Sequence, residues 1–226
     1  MVTEQSASTP IRVLVQARMS SRRFPGKVLA PFRGTPLIRW VLNAVADALP
    51  ATPVHVATSA DRSDDPLACY LAASGFSVFR GPLESVFERF RACAAEHPCD
   101  WILRVSADSP LLSVHVLERV AAQAKTAFDL VTTVFPRTFP RGSNAELIRV
   151  STFAAIDPRE LTVEDHEHVT SFYYRHPERF RILNVESPNP KLAETSLAVD
   201  TVEDLHRLER AGEVERAGFV LARRSR

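Results

Sequence analysis

The chain has 226 residues, 45% of them hydrophobic and 24% charged, with a formal net charge of +1. That length fills one ordinary globular core, and the near-neutral balance argues against a general nucleic-acid binder, which carries a basic excess. No apolar run approaches the roughly 18 residues of a membrane span, residues 1–10 lack the positive-then-apolar pattern of a secretory leader, and Cys69, Cys93 and Cys99 show neither metal-ligand spacing nor even pairing; the expectation is a soluble cytoplasmic protein.

In chain order, residues 1–10 read as a disordered lead. The run IRVLVQ (11–16) is rich in β-branched residues and reads as a buried strand. Apolar residues at helical spacing follow over 36–49. A strand is expected over 53–59, a helix over 64–75 closed by Gly75, a strand over 76–81, a helix over 83–97, a strand over 100–108, a helix over 113–126 and a strand over 128–134. Strict alternation of this kind predicts an α/β fold with a mostly parallel sheet covered on both faces. After residue 134 the rhythm breaks into the Pro-rich FPRTFPRGSN. A strand over 145–150, a long amphipathic helix over 161–180, a strand over 180–187 and a final helix over 199–218 complete the chain. The reading is a single domain over 11–220 with an inserted arm at about 135–180.

Ligands of open α/β sheets bind beyond the carboxyl ends of the strands. Four polar loops follow the first four strands: QARMSSRRFPGK, TSADRSDD, RGPLES and SADSPL. The first places Arg18, Arg22, Arg23 and Lys27 among small residues, which a turn alone does not require. With seven glycines in all, the chain has neither G-x-G-x-x-G nor the P-loop pattern. Arginine forks, a lysine and turn amides can nevertheless cradle phosphates. Asp108, at the end of the fourth strand, suits Mg²⁺ held near a phosphate, or a helix cap that Ser109 or Ser113 would serve equally well. Asp200, before the last helix, suits a cap better than a metal when taken by itself.

The run VLVQARMSSRRFPGKVLAPFRGTPLI resembles the opening of the SpsF-like cytidylyltransferases, which are similar to CMP-sialic acid and CMP-Kdo synthetases. Gln16, Ala17, Arg18, Ser21, Arg23, Pro25, Gly26, Lys27 and Leu29 carry the likeness. VATSADRSDDPL, VFRGPLESVFERF, RVSADSPLL, PRTFPRG, EHVTSFYYRHPERF and VDTVEDL follow as ordered landmarks, spanning about residues 11 to 210. The resemblance implies a Rossmann-like nucleotidyltransferase fold, CTP, Mg²⁺ and a homodimer. It assigns Arg18, Arg23 and Lys27 to the triphosphate and to catalysis, and Gln16, Ala17 and Ser21 to the same nucleotide site. Thr58, Ser59, Arg80 and Gly81 fall to the surroundings of the cytidine, and Asp108 and Asp200 to Mg²⁺. Two departures lie on the acceptor side: Asn144 stands where the family often has Asp, and Ser196 and Ala198 stand where many members have an Arg-containing run.

The expected reaction is attack of an acceptor oxygen on the α-phosphorus of CTP with loss of pyrophosphate. Arg137 and Arg141, flanking the Pro-rich stretch, suit an anionic acceptor, either a sugar acid or a phosphonate or carbocyclic one. Asn144, Glu146, His166, Glu167 and His168 are candidates for its hydroxyls. A glycosyltransferase of related fold is disfavoured, because SADSP holds one Asp and no D-x-D, and a non-catalytic nucleotide binder is disfavoured by the complete set of phosphate and metal residues. Phe172, Tyr173 and Tyr174 stand together. If only one of them packs on the sheet, the others form a partner surface.

Overall fold

The computed structural model describes residues 11–124 and 127–211. The expected lead, the basic tail and the last helix beyond residue 211 lie outside the described residues. The strands are β1 (Ile11–Gln16), β2 (Pro31–Phe32), β3 (Thr35–Pro36), β4 (Val54–Ser59), β5 (Ser77–Gly81), β6 (Trp101–Ser106), β7 (Leu130–Thr132), β8 (Glu146–Arg149) and β9 (Ile182–Asn184). The α-helices are α1 (Leu37–Ala48), α2 (Asp65–Ala73), α3 (Val86–Glu96), α4 (Val114–Ala121), α5 (Val150–Ala154), α6 (Val163–Glu167), α7 (Ser171–Arg175) and α8 (Val202–Arg210).

One seven-stranded sheet has the order β5-β4-β1-β6-β8-β7-β9. β1 pairs in parallel with β4 and β6, and β4 with β5. β8 enters between β6 and β7 and runs against both. The mostly parallel, doubly covered sheet expected from the alternation is therefore present, with one reversed strand inside it. Alternation within β1 assigns its side chains to two cores. Val13 and Val15 pack with α1, α2 and α4, whereas Leu14 packs with α3, α5 and α7. A third, smaller cluster joins Phe32 of the β2–β3 hairpin to Leu197, Val199, Leu205 and Leu208. It fastens the segment after the first loop to the segment before and within α8.

Three expectations are corrected. The helix expected over 161–180 is broken into α6, α7 and a 3₁₀ turn at Pro177–Arg179. Asp165 explains the break. Its carboxylate accepts from Thr162 behind it and from Ser171 and Arg175 ahead of it, so it closes a capping box and binds the next helix at the same time. Second, much of 135–180 is built into the sheet and its covering layer: β8 is internal, and Phe153, Phe172 and Tyr173 are fully buried. Third, two of the three aromatics pack rather than one: Phe172 and Tyr173 are buried in the monomer, and Tyr174 is half-buried with its hydroxyl bonded inside the fold. The expected homodimer keeps only the support of the family resemblance.

Candidate active site

The carboxyl ends of β1 and β6 open into a cleft of about 1020 Å³. Its wall takes residues from the first loop, from the turn after β6, from 137–146, from Glu167 and His168, and from 193–204. The first loop folds back on itself: the Gly26 amide donates to Met19 O at 2.8 Å and the Lys27 amide to Phe24 O at 3.2 Å. Gly26 sits at φ 74°, a left-handed conformation that a side chain would strain. Among the described residues, the amides of Ser20, Ser21, Arg22 and Arg23 have no protein acceptor. They are available to water or to an anion.

Asp64 anchors this loop from the side. It is fully buried and accepts from the Met19 amide (2.6 Å), the Thr58 hydroxyl (2.9 Å), and the amide and hydroxyl of Ser59 (2.9 and 2.5 Å). Burial pushes its pKa up, but these donors together outweigh burial and hold it below the ordinary carboxylate range.

Lys27 is the centre of the cleft floor. Its ammonium donates to Asp108 at 2.8 Å, to Val199 O at 2.8 Å and to Asp200 at 3.1 Å. All three protons of the ammonium are thereby spent. Arg23 reaches the other oxygen of Asp200 at 2.9 Å. Neither aspartate serves as a helix cap: Ser113 caps α4 and Thr201 caps α8 in a capping box with Asp204. The preference for Asp200 as a cap is thus corrected, and both carboxylates face the cleft. Among the described residues, no cluster of three or more His, Cys, Asp or Glu side chains is placed to hold a metal. Two hard carboxylates converging on one point do fit Mg²⁺, which binds through one or two carboxylates and completes its shell with water and substrate phosphates.

The other end of the cleft is built across the sheet. Arg104 of β6 stands opposite Glu146 of β8 in register and forms an ion pair with it. Its other nitrogens donate to the Gln16 side-chain oxygen at 2.9 and 3.3 Å. Glu146, 3% exposed, accepts further from Thr170 (2.6 Å) and Tyr174 (2.5 Å). Burial raises its pKa, yet Arg104 and the two hydroxyls prevail and hold it below the usual carboxylate range. Desolvation of Tyr174, together with the neighbouring Glu146 charge, pushes its pKa well above its ordinary value. Glu146 therefore holds the wall rather than offering itself to a substrate hydroxyl. A guanidinium only donates, so the Gln16 amide must present its oxygen to Arg104, and its NH₂ is left for other partners.

Beyond this network, Arg137 donates to the Asn144 side-chain oxygen at 2.8 Å. Arg141 is exposed and lines the cleft, as does exposed His168. Arg18 reaches Glu167 at 2.5 Å.

Most of the residues expected at the site thus share one cleft: Gln16, Ala17, Arg18, Ser21, Arg23, Lys27, Asp108, Arg137, Arg141, Asn144, Glu146, Glu167, His168 and Asp200 all line it. Thr58, Ser59, Arg80 and Gly81 do not. The Thr58 and Ser59 hydroxyls serve Asp64, and Arg80 binds Ser59 O, Asp61 O and Asp65. His166 is turned to Ser85 at 2.9 Å. Arg104, Asp64, Thr170 and Tyr174 were not singled out for the site in the sequence. The signal for Arg104 was present, as a single cation inside the most apolar strand.

Comparison with known proteins agrees with this geometry. The pattern of the family described as "Cytidylyltransferase" matches residues 12–211. The spore coat polysaccharide biosynthesis protein SpsF of Bacillus subtilis is 30% identical over 215 residues, 90% of this chain and 88% of that protein. A 3-deoxy-manno-octulosonate cytidylyltransferase of Anaeromyxobacter dehalogenans is 28% identical over 150 residues, 65% of this chain and 60% of the relative. The solved structure of a cytidylyltransferase from Leptospira borgpetersenii superposes with a TM-score of 0.83 at 26% identity, covering 89% of this chain and 85% of that one. Together with a sheet whose first loop, β6 end and α8 entrance converge on one cation and two carboxylates, this match establishes that the chain belongs to the cytidylyltransferase family.

Proposed function

We propose that the cleft transfers CMP from CTP to a small anionic acceptor and releases pyrophosphate. One observation carries this reading: Lys27 is held between Asp108 and Asp200 beneath a loop whose free amides and arginines present positive charge. Nucleotidyl transfer asks mainly for positioning and for neutralisation of charge on the leaving phosphates. Lys27, Arg18 and Arg23 are placed for the second task. Arg18 and Arg23 are engaged by Glu167 and Asp200 in pairs whose side chains are 32% to 66% solvent-exposed. Exposed pairs are worth about 0–1 kcal/mol, so a triphosphate displaces them at little cost.

Asp108 and Asp200 are the residues that would hold Mg²⁺, which when bound supplies charge neutralisation at the phosphates. The Gln16 NH₂, fixed by Arg104, is a donor at the end of β1, between the phosphate loop and the acceptor wall. The acceptor oxygen attacks the α-phosphorus in line, from the side of Arg137, Arg141, Asn144 and His168. Relatives that use 3-deoxy-manno-octulosonate make sugar acids the starting acceptors.

The test is pyrophosphate release with Mg²⁺ and CTP, ATP, GTP or UTP, each against a panel of sugar acids and phosphonates. The expected result is release with CTP and one acceptor class. Equal release from all four nucleotides, or no CTP binding by calorimetry, contradicts the proposal.

A further inference from the structure

Arg104, Arg137 and Arg141 place three guanidiniums on the acceptor wall, and Glu146 is bonded to one of them, Arg104. Arg104 and Glu146 cancel. Arg137 donates to Asn144, whose amide oxygen is neutral, and among the described residues Arg141 has no side-chain partner. Glu194, also on the wall, is exposed and bonded to neither arginine. Two positive charges remain. Arg137 is half-buried, and burial together with the nearby charge of Arg141 holds its pKa below the usual arginine value.

The backbone that carries these arginines is held in place. The Arg141 amide donates to Thr195 O at 3.0 Å, and its carbonyl accepts from Leu197 at 2.7 Å. Gly142, at φ 90°, packs so closely on that segment that a Cβ would lie 2.6 Å from the Ala198 amide nitrogen. Arg137 bridges to Val134, within the turn that carries it. Bringing two uncompensated guanidiniums together on a stiff frame is unfavourable unless an anion joins them.

We propose that Arg137 and Arg141 form the seat for a doubly charged tetrahedral oxoanion, a phosphonate or phosphate monoester carried by the acceptor. This rests on reading the cleft as a CMP-transfer site. The preference follows from charge and shape. A carboxylate has two oxygens, fills one arginine fork and leaves one positive charge. A tetrahedral dianion has three oxygens, serves two forks and leaves none.

Calorimetry on the full chain tests this, with methylphosphonate, methyl phosphate and acetate as probes and the triphosphate site filled by the α,β-methylene analogue of CTP with Mg²⁺. Both dianions are expected to bind at least about tenfold tighter than acetate, the size of one charge-assisted contact. The tighter of the two identifies the source of the oxoanion. Arg141→Gln removes the preference. Asn144→Asp also reduces it, by returning a negative charge to Arg137 while keeping its bond, and so guards against a misfolded arginine variant. The preference for methyl phosphate also shrinks as pH falls through its second ionisation, near pH ~6. Acetate binding as tightly as the dianions, or a preference that survives both substitutions, overturns the inference. If the CTP analogue does not bind, the transferase reading fails separately. Titration of Lys27→Ala then decides the seat alone, since methylphosphonate binding there must still depend on Arg141.

Discussion

The two ends of the cleft use charge differently. At the end proposed for the phosphates, Lys27 sits between two carboxylates that are themselves partly exposed, at 23% and 41% for the Asp108 and Asp200 side chains. Its contacts are made with groups that a nucleotide and a metal would also engage. At the end proposed for the acceptor, Glu146 is sealed among Arg104, Thr170 and Tyr174, and no ligand is needed to complete it. The first arrangement is poised to exchange partners, whereas the second is a rigid wall from which two further arginines project. On the proposed function, charge at the first end serves turnover, whereas the sealed Arg104–Glu146 pair serves stability.

That contrast breaks if the wall proves dispensable. Glu146→Ala leaves the half-buried Arg104 without its carboxylate, and removing one partner of a buried pair costs about 3–5 kcal/mol, with the lower end expected here. The expected outcome is a large fall in the denaturant midpoint, read by urea unfolding with circular dichroism. A loss of activity at unchanged stability would instead make Glu146 a substrate ligand.

A smaller effect is expected at the loop anchor. Asp64→Asn keeps the shape but gives up acceptor capacity at a carboxylate that receives four hydrogen bonds. At least one buried donor loses its partner, at about 1–3 kcal/mol. Because Met19 belongs to the phosphate loop, the KM for CTP should rise more than kcat falls. An unchanged KM would show that the loop holds its shape without Asp64.

The smallest effect separates the cleft from the far end of the sheet by acid. His55 stacks on His97 with ring centroids 4.1 Å apart, and its Nε2 lies 2.6 Å from Arg12 Nη1. Burial first, then the charges of His97 and Arg12, lower its pKa from 6.5 to about 4. The unfolded chain therefore takes up this proton first. Stability from His55 is complete above pH 6.5 and is lost as pH falls towards 4. Glu146, depressed below 4.5, loses its contribution only at still lower pH. The melting temperature of wild type should thus decline over the upper window and that of His55→Gln should decline less there. Parallel profiles would remove His55 from the account.

How much of this was legible in the sequence differs between the same two ends. Lys27, Asp108 and the arginines of the first loop could be read because each follows a strand, and strand ends converge in an open sheet. Asp200 was harder. A carboxylate before a helix has the composition of a cap, and the structure gives that task to Thr201 and Asp204, one and four residues later. At the other end Arg137, Arg141, Asn144, Glu146 and His168 could be read as cleft residues, but not the pairing that builds the wall. Arg104 and Glu146 lie 42 residues apart and meet because β8 enters the sheet between β6 and β7, a reversal that local periodicity does not encode. The broken helix over 161–180 failed for a related reason, since Asp165 reaches both ways along the chain and tertiary bonds overrode helical spacing. Thr58 and Ser59 had the right address at the end of β4, but Asp64 claims their hydroxyls.

The measurement closest to the central claim is pyrophosphate release by Lys27→Ala under saturating CTP and Mg²⁺, beside its urea midpoint. Loss of a cation that stabilises the leaving phosphates predicts a fall of roughly 10²–10³ in kcat, with the fold retained. Wild-type turnover in a folded Lys27→Ala variant would contradict the account.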